Sequence, residues 1–409
     1  MQTALALQIP ANLKKLYIAY SGGIDSSVLL HALQHGQAQY EIIVWHIHHG
    51  LQGNADEFER FACEQAALYG LPYRVDYLKM DRAASNLEAR ARTLRYQLFA
   101  QALGRDDALL TAHHQNDQAE TLLLNLMRGS GSAGLRGIAN SRPLGQGLLL
   151  RPLLEYSRNQ LEDYATANQL QWIDDPSNAD DRFDRNFLRH QVLPRLIERW
   201  PAAVSQLQRA SQWQQESEQL LQQLAHIDLE KCRVEKPFAQ GDCLRIDSVR
   251  LLPVERQKNL IRHWISEQGY VAPGYRRLQE LLQQLSARQD AQPRIDGEGY
   301  SLRCYRQCLY LLEQRPPVEL ECAYQLTRNE ELRIEAIQLR ITRAEILQRF
   351  QRPDHGQQIL IKFRRPHKHQ ADTHSHRLKR LFQCHQVPPW LREQIPQVMI
   401  DNELVGLLL

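Results

Sequence analysis

The chain has 409 residues, of which 43% are hydrophobic and 24% charged, and its formal net charge is +3. That length calls for two or three domains, the composition is that of a globular rather than a disordered chain, and so small a net charge excludes a whole-molecule field for a polyanion. No run approaches the roughly 18 apolar residues that span a bilayer. Met1 to Ala11 lacks the basic start of a secretory signal, and the seven scattered cysteines contain no C-x-x-C pair. These features read as a cytoplasmic protein.

Leu16 to Tyr20 is an apolar run that ends at Ser21-Gly22-Gly23, the mark of a buried strand entering a turn. Ser26 to Gln34 carries Val28, Leu29, Leu30 and Leu33 and reads as a packed helix. Ile42 to Trp45 is a second buried strand. A helix capped by Asn54 follows, with Phe58, Phe61, Ala62 and Ala66 on its apolar face and Gly70 as its stop. Tyr73 to Leu78 reads as a strand and Leu87 to Ala102 as a helix ended by Gly104. Ala108 to Thr111 is another strand, followed by a helix through Leu122, Leu123 and Leu126, and Ser157-x-x-Gln160 is a capping box opening one more. Strands separated by helices predict an α/β domain over residues 1–200, a doubly wound, Rossmann-like parallel sheet covered on both faces.

The texture changes near Pro201. A Gln-rich helix runs from Ala202 to Leu229, a turn is expected over Lys236 to Asp242, and helices surround Leu260 to Ile265 and Leu278 to Leu285. Ser301 to Leu312 reads as one strand with Cys304 and Cys308 on one face, both core. Residues 201–314 are therefore expected to form a mainly helical domain. Arg315-Pro316-Pro317 is a linker, and 320–409 a small basic α+β domain. Between Arg352 and Arg380 eight Lys/Arg stand against two acids, and five histidines lie in the same stretch. Such a patch suits a polyanion or is a solvated surface.

Ser21-Gly22-Gly23-Ile24-Asp25-Ser26-Ser27 joins a strand to a helix. Helix N-termini present unpaired N–H groups to anions, glycines admit positive φ, and serines add donors. Asp25 suits this place when it holds a Mg²⁺ against the phosphates, or else caps the helix. No Gly-Lys dipeptide exists, so this is not a Walker loop. Gly129-x-Gly131-x-x-Gly134 follows a helix rather than a strand and is no dinucleotide fingerprint, which leaves substrate contact or a plain turn. His46, His49, His113 and His114 have no matching acid or Cys to complete a zinc site, so nucleotide or substrate contact is the better reading.

The loop Ser21 to Ser26 resembles the SGGxDS signature of the N-type ATP pyrophosphatases (PP-loop proteins). The ordered set that follows narrows the likeness: His46-Ile47-His48-His49-Gly50-Leu51, Asn86 to Arg92, Ala112 to Thr121, Arg128 to Gly131, Arg151-Pro152-Leu153-Leu154, Asp175 to Asn178, Arg185 to Arg189, Leu378 to Phe382 and Val387 to Arg392. Together these resemble the tRNA(Ile)-lysidine synthase family along nearly the whole chain. Asn116 stands where that family often has an acid, and Gln52 where it often has Arg.

The resemblance implies ATP and Mg²⁺ as cofactors, and free L-lysine and a CAU-anticodon tRNA(Ile) as partners. The wobble cytidine would be adenylated and then ligated to lysine. It implies Ser21, Gly22, Gly23, Ile24, Asp25, Ser26, Ser27 and His46 at ATP, with Asp25 on the metal. Asp117, helped by Glu120, would meet lysine or the adenylated base, with His113, Gly129 and Gly131 also at the substrate. Arg92, Arg185 and Arg189 would face anionic intermediates, and Lys368, Arg377, Lys379 and Arg380 would grip tRNA phosphates. A tRNA thiolation enzyme and a non-catalytic tRNA-binding protein are the alternatives. Oligomeric state stays open, a homodimer included.

Overall fold

A computed structural model of the chain describes residues 5–36, 39–48, 50, 55–78, 87–234, 243–286, 294–314, 323–326, 331–337, 339–363 and 375–409. Asn54, His49, Lys368, the turn at 236–242 and the linker at 315–317 lie outside the described residues. Two compact units are formed, 1–220 and 221–409. No helix among the described residues is long and apolar enough to cross a membrane.

The first unit is built on a six-stranded sheet. Its elements are β1 (Lys15–Ala19), α1 (Ile24–Gly36), β2 (Glu41–His48), α2 (Ala55–Leu68), β3 (Tyr73–Tyr77), α3 (Leu87–Ala102), β4 (Asp107–Leu110), α4 (Gln115–Met127), α5 (Ser132–Leu135), β5 (Ser141–Leu144), β6 (Gly147–Leu150) and α6 (Arg158–Ala167). Strand order is β3-β2-β1-β4-β6-β5; only β5 runs antiparallel. Period-two alternation sends Leu16, Ile18, Val44 and Leu110 to one face, where they pack with Val28, Leu29 and Leu33 of α1, Ala62 of α2 and Leu161 of α6. Trp45, Leu109 and Leu149 point to the other face, against Phe99 of α3 and Leu103 just after that helix. This is the doubly wound layout expected from the alternation of elements.

The hairpin β5–β6 is an addition to it. Gly145 turns it with φ +59°, and a side chain there would run into the carbonyl oxygen of Ala100. Sequence order reverses at β1, which lies between β2 and β4. Ligands of open parallel sheets bind outside the carboxyl ends of strands at such a point. Beyond the sheet, α7 (Asp184–Phe187) continues through a wide π turn, Leu188–Val192, into α8 (Leu193–Arg199), and the long α9 (Ala203–Cys232) follows.

The second unit contains β7 (Arg233–Val234), β8 (Cys243–Arg245), α10 (Ile246–Arg250), α11 (Val254–Glu267), α12 (Tyr275–Ser286), β9 (Arg294–Asp296), β10 (Tyr300–Tyr305) and β11 (Cys308–Glu313). The helices α11 and α12 bury Leu260, Ile261, Trp264, Leu278 and Leu281 against an antiparallel sheet of order β7-β8-β11-β10-β9.

One expectation is corrected here. Ser301 to Leu312 is not a single strand but the hairpin β10–β11, turned by Arg306 and Gln307, both at positive φ. Cys304 sits opposite Leu309 and Cys308 opposite Tyr305, so the two cysteines face opposite sides of the sheet. Both are buried and core, as expected. A run that is strand-like on both sides of Arg306-Gln307 hides a two-residue turn that no Gly or Asn marks.

The chain ends with β12 (Ala323–Leu326), β13 (Glu331–Ile334), β14 (Leu339–Thr342), α13 (Arg343–Arg349), β15 (Ile359–Lys362), α14 (Ser375–Cys384), β16 (Gln397–Ile400) and β17 (Glu403–Leu407). Sheet order is β12-β15-β16-β17, and α14 lays Leu378 and Phe382 on Met399, Leu404 and Leu407.

Candidate active site

The loop after β1 is held from within. Gly22 has φ +87°, which favours glycine, and a Cβ there would come within 3.1 Å of the Phe58 ring, which would have to give way. Ser26 Oγ donates to Gly23 O at 2.8 Å, Ser21 Oγ lies 3.2 Å from Ser26 Oγ, and Ser27 Oγ meets the buried Tyr20 hydroxyl at 2.9 Å. Gly22 O accepts from Ile173 N. From β2, the buried His46 places Nδ1 3.0 Å from Tyr20 O and so braces the start of the loop.

Asp25 is not the N-cap of α1 but its second residue. Its two oxygens lie 2.7 and 2.9 Å from Arg158 Nη1, at the first position of α6. Burial pushes the Asp25 carboxyl above its ordinary range, although His114 and Arg158 pull the other way.

A second cluster stands at the carboxyl end of β4, where α4 begins. Asp117 Oδ2 accepts the backbone N–H of His114 at 2.8 Å and caps the helix. Asp117 Oδ1 accepts from Arg185 Nη2 at 2.6 Å and Arg189 Nη2 at 3.3 Å. One turn on, the fully enclosed Glu120 takes Arg185 Nε at 2.6 Å and Arg189 Nε at 2.7 Å. Arg185 and Arg189 are four residues apart, so α7 and the π turn present both on one face. Burial opposes the Asp117 charge, but His114, Arg185 and the hydrogen bond from the His114 backbone N–H outweigh it and hold the carboxyl below its usual value. Arg185 is held above its own by Asp117 and Glu120, against its burial.

His114 links the two clusters. Its Nδ1 accepts Asn116 N–H at 3.2 Å, which assigns the proton to Nε2. That nitrogen lies 3.7 Å from Asp25 Oδ2 and 3.5 Å from Asp117 Oδ2. His113 bonds Thr111 Oγ1 at 2.9 Å, and burial with the nearby Arg151, Arg185 and Arg92 brings its pKa down to about 3. It is a neutral imidazole. Arg92 itself is exposed on α3, its guanidinium carbon 5.7 Å from the centre of the Tyr96 ring.

A family model described as a PP-loop domain matches residues 1–196, one described as the TilS substrate binding domain matches 244–310, and one described as the TilS substrate C-terminal domain matches 356–407. The tRNA(Ile)-lysidine synthase of Serratia proteamaculans is 38% identical, over 100% of this chain and 93% of its own. That of Pectobacterium atrosepticum is 37% identical over 96% of this chain and 89% of its own, and that of Legionella pneumophila 35% over 96% and 90%. The chain belongs to the tRNA(Ile)-lysidine synthase family.

In this member of the lysidine synthase family, sequence reasoning passes over one residue of the site. Arg158 belongs to none of the family-like motifs; its one signal is its place directly after Ser157 of the capping box. His114 is read from the sequence as a nucleotide or substrate contact, without its place between Asp25 and Asp117. Among the described residues the one group of three or more His/Cys/Asp/Glu within metal-ligand reach is His226, His263 and Glu267, in the second unit. Gly129, at φ +67°, closes α4, its N–H on Leu126 O and that of Ser130 on Asn125 O. Gly131 caps the short α5. In the second unit, Arg377, Lys379 and Arg380 are exposed on α14, and Arg377 donates to Glu403 at 2.9 Å.

Proposed function

We propose that this protein adenylates the wobble cytidine of a CAU-anticodon isoleucine tRNA with ATP and ligates free L-lysine to it, forming lysidine and releasing AMP and pyrophosphate. Full-length likeness to lysidine synthases carries the reading. The SGGIDS loop and the Asp117–Glu120–Arg185–Arg189 cluster, side by side at a strand-order reversal, support it.

The ring carbonyl oxygen of the cytidine attacks the α-phosphorus, and the bond to pyrophosphate breaks. The ε-amine of lysine then adds to the ring carbon, the bond to AMP breaks and the amine loses its protons. Backbone N–H groups of Gly22, Gly23 and Ile24, with Ser21, Ser26, Ser27 and His46 around them, form the phosphate cradle. Asp25 fits a cation: its carboxylate is penalised by burial at the mouth of an anion site. Mg²⁺ held there would neutralise charge on the departing pyrophosphate.

Arg185 and Arg189, oriented by Asp117 and Glu120, offer their remaining N–H groups to the adenylate, and Arg92 approaches from α3. Asp117 and the neutral His113 face lysine and the base. Gly129 and Gly131 shape the loop beside them. Arg377, Lys379 and Arg380, with Lys368, contact tRNA phosphates. We read three functional regions, 1–200, 201–314 and 320–409.

The test is incubation with ATP, Mg²⁺, lysine and the CAU-anticodon tRNA(Ile), followed by mass analysis of its nucleosides. A gain of lysine minus water at the wobble cytidine is expected; no gain, or a gain of sulfur, refutes the reading.

A further inference from the structure

The most specific contact at the loop that the reaction above does not use is the one between Arg158 and Asp25. A single nitrogen, Nη1, lies between the two carboxylate oxygens at 2.7 and 2.9 Å. That is the position a bound cation takes in front of a carboxylate. The guanidinium is held on its other side as well, by Nε on Glu162 Oε1 at 2.7 Å. Its backbone is fixed independently: Arg158 N–H donates to Asn116 Oδ1 at 3.1 Å, and the Ser157–Gln160 capping box sets where α6 starts. Asn116 is a position at which this chain departs from the acid often found in its family. Here its amide oxygen joins the N-terminus of α6 to that of α4.

We propose that Arg158 is a positioning residue that occupies the cation place of Asp25 in the nucleotide-free enzyme and yields it only to a cation that arrives with nucleotide. The inference rests on the reading of Asp25 as the metal carboxylate. Guanidinium and divalent cation compete for the same two oxygens, so both cannot hold them at once. A cation alone must displace Arg158 unaided. A cation–nucleotide complex adds the contacts of the phosphates with the loop N–H groups, and these offset the broken ion pair. Once displaced, Arg158 keeps Glu162 as its partner, so its charge is not stranded. The loop thus keeps Asp25 in its working orientation while discriminating against free cations.

Mn²⁺ binding to the intact nucleotide-free protein, read from the free-ion signal in electron paramagnetic resonance, tests this without turnover. Arg158→Gln is expected to bind Mn²⁺ about fivefold more tightly than the wild type, the scale of one partly exposed ion pair removed. Arg158→Lys, which keeps a charge but not the planar fork, is expected in between. With α,β-methylene-ATP present both proteins are expected to bind Mn²⁺ more tightly than without it, because the phosphate contacts are added to each. Asp25→Asn should abolish the gain in the double variant. Thermal melts of Arg158→Gln and Arg158→Lys establish that each is folded. If Arg158→Gln binds Mn²⁺ no more tightly than the wild type while Asp25→Asn still weakens binding, Arg158 is no competitor and the proposal fails alone. If Asp25→Asn leaves Mn²⁺ binding unchanged with and without nucleotide, the metal reading of Asp25 fails and takes the proposal with it.

Discussion

Glu120→Gln keeps the shape of the side chain and removes its charge. The Glu120 carboxylate has no exposed surface and accepts three N–H bonds, from Arg185 Nε at 2.6 Å and from Arg189 Nε and Nη2 at 2.7 and 3.1 Å. Removing one partner from a buried ion pair costs about 3 to 5 kcal/mol, because the remaining charges lose their compensation. Here the arginine side chains stay 34% and 35% exposed and keep Asp117, so water and the second carboxylate absorb part of the loss. The lower end, about 3 kcal/mol, is expected. In a unit the size of residues 1–220, each kcal/mol moves the melting temperature by about 2 to 4 °C. Calorimetry should therefore show a fall of about 6 to 12 °C for the transition of that unit. Pyrophosphate release should fall as well, since both guanidinium groups lose their orientation. A shift under about 2 °C with full activity would mean that Glu120 does not position the arginines, and the account of the cluster would have to be abandoned.

Asp25→Asn should behave in the opposite way. Its folded carboxyl lies above the unfolded value, so the charged form weakens the nucleotide-free protein at neutral pH, and that penalty disappears as pH falls below the unfolded value. The variant should melt higher than wild type at pH 7 while losing pyrophosphate release; a lower melting temperature contradicts the sign. Asp117 has the depressed carboxyl, so its stabilisation is present above about pH 4 and is lost as pH falls through the lower folded value. Asp117→Asn should flatten the melting curve below that pH, and an unchanged acid limb would contradict this. The folded His113 value near 3 implies ring NMR shifts that do not move between pH 5 and 8. Observed titration in that range would show that the ring is more solvated than its surroundings imply. Lys379→Glu with Arg380→Glu should weaken tRNA binding and reduce the slope of log affinity against log salt by about 0.7 or more for each phosphate that is no longer neutralised. An unchanged slope would remove α14 from the tRNA interface.

The first unit is legible in the sequence because its signals are local. Leu16, Ile18 and Val44 belong to unbroken apolar runs, and helices with plain stops separate them, so the parallel sheet and the place of the loop follow. The hairpin β5–β6 is not legible: Arg142-Pro143 reads as loop, and the pairing of Leu148 to Leu150 with β4 is a long-range contact. The turn at Arg306-Gln307 escapes for the complementary reason, since its flanks alone look like one strand. Within the site, motifs locate Asp25, Asp117, Glu120, Arg185 and Arg189 but not their partnerships. Arg158 meets Asp25 across 133 positions of chain, a separation at which no spacing rule operates.

Those partnerships change what the cluster is read to do. From sequence, the arginines face anionic intermediates and Asp117 meets lysine or the adenylated base. In the folded protein Asp25 is engaged by Arg158, and Asp117 and Glu120 by Arg185 and Arg189. Charges so placed suffer less from burial than they would alone, which is how a site rich in acids and arginines stays folded before nucleotide arrives. The same pairing sets the condition for binding. An anion that takes N–H groups from Arg185 or Arg189 must compete with carboxylates already in contact, whereas one that uses their exposed third need not. The second route leaves Asp117 and Glu120 as fixed supports throughout. It requires that Asp117→Asn impair the geometry of the arginines as well as any direct contact of Asp117 with substrate. Loss of nucleotide affinity as well as lysine affinity in Asp117→Asn is therefore the expected pattern, and loss of lysine affinity alone would return Asp117 to the simpler role.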